Sequence, residues 1–247
     1  MTTYLFSPPA VISVAVRGVD ARFPVRRVIC VGRNYADHAR EMGNDDREPP
    51  FFFFKPTDTL IDSGVPMPYP PLTTSLHHEV ELVVAIGTGG ADIAEEDALQ
   101  HVYGYAVGLD MTRRDIQLAA REMGRPWDWG KGFDLSAPCA ALSRVSDVGH
   151  LSKGAISLRV NGEMRQSSDL SELIWGVPEI IAIASRGMKL EAGDLIFTGT
   201  PAGVSAVKEG DLLEGVIAGL EPVSTRVGPR AHTTKAQPPT AQARSSQ

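Results

Sequence analysis

The run LHHEVELVV at residues 76–84 constrains the fold more than any other stretch. Its apolar residues fall at alternate positions, as a half-buried strand requires, yet the positions between them include Glu79 and Glu81. Side chains two apart on a strand leave the same face, with Cα atoms only ~6.6 Å apart. Two carboxylates held that close repel each other, and the cost grows if the face is buried. Either water bathes that face or a cation sits between the glutamates.

Short apolar runs of this kind recur along the chain. Residues 10–17, RVICV at 27–31, FFFFKP at 51–56, GYAVGLD at 104–110 and DLIFTGTPAGV at 194–204 read as strands, and ISLRVNGEMRQ at 156–166 as a hairpin turning at Asn161–Gly162. GVDARFP at 18–24 reads as a turn. Helices are few and short. One is expected over residues 35–42, with Asn34 as N-cap, Asp37 in the first turn and Gly43 beyond the end. A second follows Asp92 to about His101, behind the spaced pair Asp92 and Glu95. A third, TRRDIQLAAREMG, is expected to be capped by Thr112 and closed by Gly124. A fourth covers residues 170–185 and is expected to break or kink at Pro178. RPWDWGKGFDLSAP at 125–138 reads as a loop. The pattern predicts a β-rich α+β fold: an N-terminal extension with a strand over residues 1–26, one main domain over 27–225, and a disordered tail over 226–247 with four Lys/Arg and no acids.

Composition narrows the function classes. With 43% hydrophobic and 22% charged residues, the 247-residue chain reads as an ordinary globular protein able to bury its own core. A net charge of −6 gives no reason to expect nucleic acid or an anionic membrane as partner. The two cysteines, Cys30 and Cys139, form no CxxC pair, which fits a reducing compartment. No signal peptide or spanning segment is read at the N-terminus, so a cytoplasmic location is expected.

Several groups of residues carry candidate chemistry. Asp110 ends an apolar run, where a carboxylate is unexpected without a partner. Together with Glu79 and Glu81 it would make an all-oxygen donor set suited to Mg²⁺ or Mn²⁺. His77–His78 is a weaker zinc candidate, because neighbours on a strand point to opposite faces. His38 and Glu41 share a helix face at i,i+3, so a carboxylate there can orient an imidazole acting as a general base; a surface ion pair is the plainer reading. Arg114 and Lys131 would collect an anionic substrate. TGTPAG offers the hydroxyls of Thr198 and Thr200 and backbone N–H groups able to cradle a carboxylate, or simply turns the chain. GTGG at 87–90 lacks the spacing of a dinucleotide fingerprint.

The motifs GRNYADH at 32–38, FFFKP at 52–56, HHEVEL at 77–82, GYAVGLDMTRRDIQ at 104–117, KGFDLSAP at 131–138, VNGEMRQ at 160–166 and LEAGDLIFTGTPAGV at 190–204, in this order, resemble the fumarylacetoacetate hydrolase family. RPWDWGKGF and DARFPVRR resemble its short bacterial acylpyruvate and fumarylpyruvate hydrolases. The resemblance implies a mixed β-roll or β-sandwich, a homodimer, and Mg²⁺ or Mn²⁺ on Glu79, Glu81 and Asp110. It also implies catalytic roles for His38 and Glu41 on a lid helix and for Lys131, and substrate contacts from Arg114, Gln117 and Thr200. The implied activity is hydrolysis of a carbon–carbon bond in a small anionic keto acid, fumarylpyruvate going to fumarate and pyruvate in gentisate catabolism. Oxaloacetate decarboxylation and hydroxymuconate-type isomerisation are alternatives in the same family, and a non-catalytic metal- or carboxylate-binding protein is an alternative of another class.

Overall fold

A computed structural model describes residues 2–35 and 48–231. The strand-rich α+β architecture expected from the sequence is present: an eight-stranded mixed sheet, a five-stranded sheet, and two small sheets of three and two strands. The central strand Val80–Ile86 lies in the large sheet, antiparallel to Val102–Leu109 on one side and to Asp194–Phe197 on the other. Both of its faces are buried. Val80, Leu82, Val84 and Ile86 join one core with Ile156, Leu158, Leu213 and Val223 of the five-stranded sheet. Val83 and Ala85 join a second core with Val14, Val16, Phe23 and Phe197. Alternation therefore distributes apolar side chains to both sides, and the N-terminal hairpin supplies the cover for the second.

Several elements differ from the sequence reading. GVDARFP is mostly strand: Val19–Pro24 pairs with Ser13–Val16, the turn lying at Arg17–Gly18. The segment after Asp92 is a 3₁₀ helix, Glu95–His101, beginning after Ala94; Asp92 sits at φ 49 with its N–H given to Ser185 O, so it cannot cap. Thr112 belongs to a two-residue strand opposite His77, and its hydroxyl donates to Asp110 O, so the helix Arg114–Glu122 starts behind Arg113 instead. Gly124 closes it at φ 62, as expected. RPWDWGKGF contains one helical turn, Asp128–Lys131. Residues 170–185 divide into a short 3₁₀ turn, Leu170–Glu172, and a helix, Val177–Gly187, with Pro178 in its first turn. Proline is tolerated there because the missing N–H would have no intrahelical acceptor, so Pro178 sits in the first turn of the helix and does not kink it. Arg226, expected to open the tail, lies inside the strand Val223–Arg230, which pairs with Leu212–Ile217 and Met67–Tyr69; residues 232–247 lie outside the described residues. The expected helix over residues 35–42 lies almost entirely outside the described residues. Among the described residues no helix is long and apolar enough to cross a membrane.

Candidate active site

The run HHEVELVV is two strands, not one. Leu76–His77 pairs in the small three-stranded sheet, and the chain re-enters the large sheet at Val80. His77 Nε2 lies 3.0 Å from Ser75 Oγ. Burial pushes its imidazole down to about 4, and with Nδ1 unpartnered it shows no donor set for zinc.

Glu79 and Glu81 are not solvated; both are buried, as is Asp110. The ladder explains their convergence. Val80 pairs with Leu109, and Asp110 N–H donates to Glu79 O at 2.8 Å, so Asp110 emerges beside the two glutamates. One carboxylate oxygen from each of the three lies within 4.8 Å of the others.

Three cations surround this trio. Lys131 Nζ donates to Glu79 Oε2 at 2.7 Å and Asp110 Oδ2 at 2.6 Å. Lys55 Nζ donates to Asp110 Oδ1 at 2.7 Å and also to the carbonyls of Met111 and Lys131. Arg114 Nη2 donates to Glu79 Oε1, while its Nη1 donates to Gln117 Oε1 at 2.6 Å. Burial works against the charge on Lys131, but Asp110 and Glu79 outweigh it and its pKa is raised. It is therefore a permanent ammonium at neutral pH, a charge and hydrogen-bond donor rather than a base.

Glu81 is treated differently. Its Oε2 accepts from Gly199 N–H at 2.8 Å. Burial, with Asp110 and Glu79 adding to it, pushes its carboxyl well above the ordinary range. Gly199 adopts φ +98, and a Cβ there would stand 2.7 Å from Asn34 Cβ. TGTPAG is thus more than a strand-ending turn, because it aims a backbone donor at a buried carboxylate. A buried, all-oxygen trio in which burial and two neighbouring carboxylates disfavour the charge on one member fits a hard divalent cation such as Mg²⁺ or Mn²⁺.

A second network supports the first. Gln166 Nε2 donates to Thr200 Oγ1 and Pro201 O, both at 2.8 Å. Its Oε1 therefore accepts from Val80 N–H at 3.1 Å and from His78 Nδ1 at 2.9 Å, which leaves His78 Nε2 to accept from Ser205 Oγ. The Thr200 hydroxyl in turn donates a hydrogen bond to Val80 O at 2.8 Å. The strand carrying both glutamates and the turn carrying Thr200 are tied together through one buried amide.

Val31, Phe53, Trp127 and Thr200 line one cleft with the acidic trio, Arg114, Gln117 and Lys131. The helix Arg114–Glu122 and the turn Asp128–Lys131 deliver the cations from one side; a Cβ on Gly130 would come within 2.9 Å of Gln117, so only glycine allows that approach. Every expected site residue within the described range reaches this cleft, while His38 and Glu41 lie outside that range. Sequence reasoning gave no role to Lys55 or Gln166, and to His78 only the weaker zinc reading, which its bonds to Gln166 and Ser205 do not support. The available signals were a lysine ending an all-phenylalanine strand and a glutamine closing VNGEMRQ.

Residues 27–228 match the family model of the fumarylacetoacetate hydrolase C-terminal domain. The chain is 48% identical to the fumarylpyruvate hydrolase of a Ralstonia species over 74% of this chain and 94% of that protein. It is 41% identical to the mitochondrial oxaloacetate tautomerase of Homo sapiens, covering 82% and 91%. Its fold superimposes with a TM-score of 0.90 on the fumarylpyruvate hydrolase of Pseudomonas aeruginosa in complex with Mn²⁺ and pyruvate, at 55% identity over 92% of this chain and 100% of that one. The protein belongs to the fumarylacetoacetate hydrolase family.

Proposed function

We propose that this enzyme is a divalent-metal-dependent hydrolase of acylpyruvates, with fumarylpyruvate as substrate and fumarate and pyruvate as products. One observation carries the reading: three buried carboxylates, Glu79, Glu81 and Asp110, converge beside the ammonium of Lys131 and line one cleft with it. The fumarylpyruvate hydrolases among its relatives, one of them described with Mn²⁺ and pyruvate, favour that substrate over others of the family.

Glu79, Glu81 and Asp110 would hold Mg²⁺ or Mn²⁺, a Lewis acid that polarises the 2-keto group and offsets negative charge on the pyruvate half of the substrate. Lys131 adds a fixed positive charge and N–H donors where that enolate charge develops, an electrostatic contribution of several kcal/mol. Arg114 and Gln117, one helical turn apart, present polar groups to the substrate. The Thr200 hydroxyl donates its hydrogen bond to Val80 O, so its oxygen faces the cleft as an acceptor. In this reading His38, oriented by Glu41, takes a proton from the water that attacks the distal carbonyl. The bond between the acyl carbon and the pyruvate methylene then breaks, the pyruvate enolate is protonated on carbon, and the acyl half leaves as a carboxylic acid. A homodimer and a cytoplasmic location belong to the same reading.

A second reading, chemistry on oxaloacetate, is favoured by the human relative and needs enolate stabilisation but no attacking water. Steady-state kinetics on fumarylpyruvate and oxaloacetate, with wild type and His38→Ala, separates the two. Efficient fumarylpyruvate hydrolysis that collapses in the variant supports the hydrolase; turnover of oxaloacetate alone, indifferent to His38, overturns it.

A further inference from the structure

One peptide unit of the TGTPAG turn is hydrogen-bonded on both sides. Its N–H is that of Gly199, given to Glu81 Oε2 at 2.8 Å. Its carbonyl is Thr198 O, which accepts from Asn34 Nδ2, also at 2.8 Å. The unit is trans, so its two polar groups point opposite ways and one plane links the Asn34 carboxamide to the Glu81 carboxylate. Each of the two bonds polarises the peptide in the sense that strengthens the other.

The residues flanking this unit are anchored to the strand that carries Glu81. Thr198 N–H and Oγ1 both donate to Leu82 O at 3.0 Å, and Thr200 Oγ1 donates to Val80 O. These anchors do not fix the plane between them, because Gly199 sits at φ +98 and glycine takes positive and negative φ about equally readily. Reversed, the unit would turn a carbonyl oxygen on a buried carboxylate and its N–H on Asn34. Asn34 selects against that arrangement. It is buried, its Oδ1 accepts from Trp175 N–H at 2.8 Å, its Nδ2 also donates to Trp175 O at 2.9 Å, and its own carbonyl accepts from Ile174 N–H. With Oδ1 committed to an N–H, the carboxamide has only its donor side to offer Thr198.

We propose that Asn34 is a positioning residue: by donating to Thr198 O it holds the Thr198–Gly199 peptide with its N–H on Glu81, and so orients that carboxylate for a divalent cation. The inference rests on the metal-dependent part of the acylpyruvate reading and deepens it, since the partners that orient a ligating carboxylate tune its grip on the ion.

Asn34→Leu keeps the branched shape and removes the donor without adding charge. The Mn²⁺ dissociation constant of the folded variant, read by calorimetry, should rise about ten- to a hundredfold, the usual cost of losing an outer partner of a metal ligand. A residue serving packing alone would lower the melting midpoint of the metal-free protein and leave that constant alone, so a value within about twofold of wild type overturns the proposal. Asn34→Asp gives a second, direct readout. One oxygen of the introduced carboxylate still takes the Trp175 N–H, while the other puts an acceptor where Thr198 O needs a donor. A metal-free crystal structure of this variant, grown at alkaline pH to keep the carboxylate ionised, should show the Thr198–Gly199 unit reversed, with its N–H on the introduced group. A unit left unmoved refutes the lock, whether or not Asn34→Leu folds. If the wild type binds no Mn²⁺, the metal-dependent reading falls by itself, and the orientation of the unit in Asn34→Asp still decides whether Asn34 sets it.

Discussion

Replacing Lys55 by methionine is the sharpest test of how the acidic trio is held together. Methionine keeps most of the side-chain volume and removes the charge, so packing changes little. Lys55 and Asp110 form a 2.7 Å ion pair with side chains 0% and 1% exposed. In the variant Asp110 retains only Lys131, and the carbonyls of Met111 and Lys131 lose a donor. Removing one partner of a buried pair costs about 3–5 kcal/mol, because the remaining charge stays desolvated. In a chain of this size each kcal/mol moves the unfolding midpoint by about 2–4 °C, so the metal-free variant should melt roughly 6–20 °C below wild type. A divalent cation restores positive charge beside Asp110, so saturating Mn²⁺ should narrow that gap. Calorimetric melting of both proteins, stripped and reloaded, measures both effects. A metal-free midpoint within about 2 °C of wild type would show that Lys55 is dispensable to the trio. A gap insensitive to Mn²⁺ would show that Asp110 does not feel the ion.

Two further outcomes follow from the same geometry. The raised carboxyl of Glu81 means that the folded, metal-free protein binds a proton the unfolded chain has already released. Its stability should therefore decline as pH rises from the ordinary glutamate value of about 4.3 through the higher folded value. Over that window Mn²⁺ affinity should rise with pH and binding should release a proton; calorimetry in buffers of differing ionisation enthalpy reads this, and pH-independent affinity without proton release contradicts it. Gln166→Leu strips partners from Val80 N–H, His78, Thr200 and Pro201 at once, so a loss of about 2–5 kcal/mol in denaturant unfolding is expected. A loss below about 1 kcal/mol would mean that the amide does not tie strand to turn.

What the sequence reveals is unequal along the chain. The carboxylates of Glu79 and Glu81 stand out because period-two alternation is local, and a charge on an apolar strand violates it in plain view. The ordered motifs then gave the family, and with it the places of Asp110, Arg114, Gln117, Lys131 and Thr200 in one cleft. Capping was less readable. Thr112 has the right chemistry and the right offset to cap a helix, yet pairing with His77 took its backbone and Asp110 took its hydroxyl. GVDARFP looks like a turn until its partner strand is known, since a polar edge strand carries little apolar signal of its own.

The sequence by itself determined the β-rich class, the acidic trio and the family, because each is written in short-range pattern or in motifs that survive as text. Only the tertiary structure decided how the trio is neutralised and how its strand is tied to the turn carrying Thr200. Lys55 reaches Asp110 across 55 residues and Gln166 reaches His78 across 88, separations over which no local periodicity operates. Whether a buried carboxylate is charged, protonated or paired depends on which side chains the fold brings within a few ångströms, and that distance is set by sheet register rather than by the order of residues.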